Sequence, residues 1–136
     1  MGAWSHEPFG NDTANDWAYG LVETGDLGYV ESALDGVLEV GDDYLDASVA
    51  EEAVAAIEVF AKLLGRSTQT DSYTEKVDMW VKTTKSKPTP ALRLKAKQAI
   101  QRIMSVNSEL RELWEESDDG AEWKAAMTQL RAAIDA

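Results

Sequence analysis

The chain carries one histidine, His6, and any imidazole-based acid–base or triad chemistry must use it. Ser5 and Glu7 flank it, and Asp12 and Asp16 follow shortly after. Imidazole and carboxylates are the ligand types of a mixed metal site. Their spacing fits none of the usual schemes. There is no His-Glu-x-x-His, no calcium loop with its glycine and terminal Glu, and no Glu-x-x-His. Adjacency of Ser5 and His6 does not make a nucleophile–base pair. No Gly-x-x-x-x-Gly-Lys loop is present to cradle a phosphate, and the absence of cysteine excludes thiol nucleophiles, thiolate metal sites and disulfides. The sequence therefore predicts no catalytic residue, no metal ligand and no cofactor. A hydrolase or metal-dependent enzyme centred on His6 stands as a lesser alternative.

Charge is more informative than any motif. The net charge is −12, and the first 61 residues hold fourteen acids with no Lys or Arg. The stretch from Met79 to Ser108 is the reverse: no acid, and Lys82, Lys85, Lys87, Arg93, Lys95, Lys97 and Arg102. Asymmetry on this scale points to a charged partner or to two halves that face each other in one domain. Glu31, Asp35 and Glu39 recur every fourth residue, which stacks like charges on one helix face at a cost of about 0.2–0.5 kcal/mol per pair. Asp42 and Asp43 extend the acidic run, with Asp46 close by. On the basic segment, helical geometry places Arg93 and Lys97 on one flank of the apolar face and Lys95 and Arg102 on the other. That split set forms no continuous basic stripe, so nucleic acid is not an expected partner.

The elements that must position these groups read as helix after helix. Asn11 or Asp12 caps a helix with Ala14, Trp17, Ala18 and Leu21 at helical spacing, and Gly25 ends it. Asp26 caps the next, with Leu27, Val30, Leu34 and Val37 on one face. After the Gly41-Asp42-Asp43 turn, Ser48 and Glu51 form a capping box ahead of Ala53, Ile57, Phe60 and Leu64. Ser72 and Glu75 form another before Val77 and Trp80. Thr89 precedes Pro90, a good helix start, and Leu92, Ala96, Ala99 and Ile103 follow. Ser108 caps a short helix with Leu110, Leu113 and Trp114. Ser117 to Gly120 breaks it, and Trp123, Met127, Leu130 and Ile134 line the last. The expectation is an all-α fold, residues 1–136 forming one compact bundle of about seven mostly short helices, with no alternating strand.

Residues 1–10 form an aromatic lead-in. Trp4 and Phe9 each contribute on the order of a few kcal/mol when buried, so they are expected to staple the chain's start to the bundle. This opening resembles that of an uncharacterised bacterial family, a domain of unknown function. Its members begin with a pattern like Gly-Ala-Trp-Gly-His-Gly-Pro-Phe-x-Asn-Asp, then Asp-Trp. Gly2, Ala3, Trp4, His6, Pro8, Phe9, Asn11, Asp12, Asp16 and Trp17 match, while Ser5 and Glu7 replace two glycines. The likeness continues through "EEAVAAIEVFAKLLG", "NSELRELWEES" and "EWKAAMTQLRAAI" and so spans nearly the whole chain. It implies an all-helical domain and no particular activity.

The expected function is that of a non-catalytic acidic binding protein, in concrete form an immunity-type neutraliser of a toxin or other basic protein. The alternative is a structural or regulatory interaction domain in a larger complex. Glu31, Asp35, Glu39, Asp42 and Asp43 are the expected contacts, and Tyr29 and Tyr44 serve either as anchors beside them or as core. No apolar run reaches membrane-span length and no signal-peptide pattern appears, so a cytoplasmic protein without membrane contact is expected.

Overall fold

The alanine-rich stretch forms the middle of the molecule. It is helix α3 (Ala47–Leu63), and it touches all six other helices. Those are α1 (Asp12–Thr24), α2 (Leu27–Leu38), α4 (Glu75–Thr83), α5 (Pro90–Ile103), α6 (Glu109–Glu115) and α7 (Gly120–Asp135). The structure, a computed structural model, describes residues 5–135. Among these the fold is all-α: seven α-helices, one 3-10 turn at Ser72–Thr74, and no strand. From position 50 to 62, every α3 residue except Glu52 is buried. Alanines at 50, 53, 55, 56 and 61 let neighbours approach from several sides. The expected apolar faces close around this helix: Leu34 and Val37 of α2, Ala96, Ala99 and Ile103 of α5, and Met127, Leu130 and Ile134 of α7 are all buried. No helix among the described residues is long and apolar enough to cross a membrane.

Several caps follow the sequence. The Asn11 side chain accepts from Ala14 N, the Asp26 side chain from Tyr29 N, and Thr89 Oγ1 from Leu92 N, with Pro90 behind it. Three caps differ from expectation. Helix α3 starts at Ala47, before Ser48, and Glu109 Oε1 from α6 accepts from Ala47 N at 2.8 Å. A tertiary acceptor thus satisfies a donor that a local cap would have taken. Asp71, with Thr74, caps the 3-10 turn that leads into α4, in place of Ser72 and Glu75. Ser108 sits at the N-cap of α6, but its buried Oγ makes no hydrogen bond.

The lead-in is a closed loop. Ser5 N donates to Gly10 O and Gly10 N to Glu7 O. A Cβ on Gly10 would fall 2.8 Å from the Ser5 carbonyl oxygen, so only glycine lets the loop shut. Phe9 is fully buried, and its N–H donates to Gln69 Oε1 at 2.8 Å. The staple therefore exists through Phe9; Trp4 lies outside the described residues. Tyr29 belongs to the packing of α1 on α2. Its ring lies 5.1 Å from that of Trp17, and its hydroxyl donates to Trp17 O. It passes so close to Gly20 that a Cβ there would come within 2.1 Å of the phenol oxygen.

Candidate functional site

The two charged halves of the sequence meet across α2 and α5. Lys95 Nζ lies 2.8 Å from Glu31 Oε2 and 2.8 Å from Asp35 Oδ1. Hydrogen bonds to Asp35 and then Glu31 raise the Lys95 pKa above its ordinary value. The other cations of α5 divide by flank as helical geometry requires. Arg102, on the Lys95 flank, reaches the loop after α2, while Lys97 turns to Asp135 of α7 at 2.7 Å. Glu31 and Asp35 thus find their cation inside the domain, whereas Glu39 is exposed and forms no ion pair among the described residues.

Beyond Glu39 the acidic surface changes character. Arg102 spends its guanidinium on backbone carbonyls, at 2.8 Å from Gly41 O and 2.5 Å from Asp43 O. It fixes the loop and leaves the Asp42 and Asp43 carboxylates exposed. The next residues pair with the start of α6: Leu45 N donates to Asn107 O, and Glu109 N to Leu45 O. In this extended stretch neighbouring side chains point oppositely. Leu45 is fully buried and Tyr44 is 52% exposed. The Tyr44 hydroxyl donates to Glu112 Oε1 at 2.7 Å. That hydrogen bond pushes the phenol pKa up to about 12, with Glu109 and Asp46 adding negative charge nearby. Asp42, Asp43, Asp46, Glu109 and Glu112 form no ion pair among the described residues. The negative field continues inward to Glu51, whose pKa is raised by burial, with Glu109 and Asp12 acting in the same direction and a Thr13 hydrogen bond opposing.

A second polar cluster lies inside the fold. Glu58 and Lys62 are buried on α3. Lys62 Nζ contacts Asp78 Oδ1 at 2.7 Å, Ser67 Oγ at 2.9 Å and Glu58 Oε2 at 3.6 Å. Glu58 accepts from Thr68 N, Thr68 Oγ1 and Gln69 N. These contacts bind α3 to the 67–71 loop and to α4, and Gln69 passes the tie on to Phe9. Sequence reasoning missed this node because an i,i+4 Glu–Lys pair reads as a solvated helix face. The available signal was its place in an otherwise apolar, alanine-rich helix.

His6 is half-buried in a cleft of about 250 Å³ with Glu7, Pro8, Thr68 and Glu122. The Ser5 hydroxyl turns to Glu7, donating to its Oε1 and accepting from its N–H, and does not bond His6. Among the described residues, no three His, Asp or Glu side chains gather as a metal ion would need.

A family model described as a domain of unknown function, DUF4259, matches residues 2–126. Neither the curated proteins nor the solved structures give a match to this chain. With nearly its whole length covered by the family model, the chain belongs to the DUF4259 family of domains of unknown function.

Proposed function

We propose that this chain is a cytoplasmic, non-catalytic binding protein that neutralises a basic protein partner, in the manner of an immunity protein holding a toxin. The observation that carries the reading is the exposed Tyr44 ring, held by Glu112 with Glu109 and Asp46 nearby and with Asp42 and Asp43 exposed in the turn just before it, none of these acids being paired to a cation among the described residues. Carboxylates of this kind steer a basic surface into encounter, and an aromatic ring beside them supplies anchoring area. The contact set accordingly moves along the chain from the sequence expectation. Asp42 and Asp43 stay in it, Glu39 borders it, and Glu31 and Asp35 serve the α2–α5 interface instead. Affinity capture from the native host tests this, with the Asp43→Lys, Glu112→Lys variant run beside the unaltered chain. A basic protein retained by the unaltered chain and lost with the variant supports the reading. The same protein retained equally by both contradicts it.

A further inference from the structure

A groove of about 450 Å³ runs between the C-terminal end of α3 and the start of α5. It is built from elements other than those of the acidic face. Phe60, Leu64, Pro88, Pro90 and Leu94 give it apolar walls, and Leu94 is 56% exposed. Arg93 and Lys97 also line it, and no carboxylate does among the described residues. In a chain with 25 acids against 13 cations, a cation-only lining runs against the overall balance. Lys85 and Lys87, exposed in the irregular segment that leads to Pro88, form no ion pair among the described residues.

We propose that this groove binds an acidic peptide segment carrying an apolar anchor residue. One carboxylate already shows what an incoming acid would meet. Asp135 lies 2.7 Å from Lys97 Nζ. The Lys97 hydrogen bond holds its carboxyl below the ordinary carboxylate range, with Arg131 and Arg93 acting in the same direction. Three cations around one acid leave positive charge for a second. Leu94 and the two prolines would take the anchor side chain, since apolar area supplies affinity while charges supply orientation and on-rate. A nucleic acid fits less well: no exposed aromatic ring lines the groove for bases to stack on.

The test uses the full chain and a fluorescein-labelled peptide of glutamates around a central Leu-Phe pair, read by fluorescence anisotropy. A matched peptide with glutamine for glutamate and an all-glutamate peptide without the anchor are the controls. Binding of the first peptide, weakened at least about tenfold by Arg93→Glu and by Leu94→Ser, is the expected result. Both positions are at the surface, and circular dichroism checks that each variant stays folded. Asp135→Asn should tighten binding, because it removes a competing internal carboxylate. The proposal is overturned if the glutamine peptide binds as well as the glutamate one, or if Arg93→Glu and Leu94→Ser leave affinity unchanged. Binding only to anionic lipid vesicles, or self-association without peptide binding, overturns it too.

Discussion

Lys95 of α5 sits equidistant, at 2.8 Å, from Glu31 and Asp35 of α2. One cation closes two acids that stand one helical turn apart. Without it their mutual repulsion has no local relief. Lys95→Met keeps the stem and removes the charge. Its melting temperature should fall, and the fall should shrink at high salt, where exposed charges are screened. A melt identical to the unaltered chain at low salt would show that the bridge does not support the α2–α5 interface.

The buried node makes a stronger demand. Glu58 is fully buried and the Lys62 side chain is 2% exposed. Lys62→Met leaves the Glu58 charge buried without its cation, and Glu58→Ala orphans the Thr68 and Gln69 donors while Lys62 keeps Asp78, each at roughly 3–5 kcal/mol. Denaturant unfolding of Lys62→Met and of Glu58→Ala should each show a loss in that range. Losses below about 1 kcal/mol would mean that water reaches the node and screens it.

Phe9 ties the lead-in to the core. Phe9→Ala should cost about 3–5 kcal/mol, the usual range for a buried phenylalanine. Gln69→Ala, which removes the acceptor of the Phe9 N–H, should destabilise less, by about 1–3 kcal/mol for an orphaned buried donor. Chemical denaturation of the two variants checks the order. A Phe9→Ala chain as stable as the original would show that the lead-in carries no structural weight.

Much of this arrangement was legible in the sequence. Helix number, the apolar faces, the Asn11, Asp26 and Thr89 caps and the flank split of Arg93 and Lys97 against Lys95 and Arg102 all depend on local periodicity. What escaped depends on contacts distant in sequence. The α3 start is set by Glu109, 62 residues away. Glu58 and Lys62 look like a surface pair until α4 and the 67–71 loop cover them. The acidic ridge itself was plain, but only the crossing of α2 and α5 shows that its first two carboxylates are already paired.

Tyr44 offers a spectroscopic test of the acidic face. Its phenol, raised to about 12 by the Glu112 hydrogen bond, should give a late component in an ultraviolet titration, above the ordinary tyrosine pKa near 10. In Glu112→Gln that late component should move down toward the ordinary tyrosine range. The sign for stability follows: the raised value favours the fold below the ordinary tyrosine pKa near 10, and this contribution is lost as pH rises toward about 12. A titration unchanged by Glu112→Gln would place Tyr44 away from that carboxylate in solution.

The central claim is that the Tyr44 face recruits a basic partner. Its most direct measurement is the association rate of the captured partner across a salt series. The unaltered chain is compared with the Asp43→Lys, Glu112→Lys variant and with Tyr44→Ala. The account predicts a rate for the unaltered chain that falls steeply with salt, and a much slower, nearly salt-independent rate for the charge-reversed chain. Tyr44→Ala should change mainly the dissociation rate. An association rate equal in all three chains and indifferent to salt would contradict the claim.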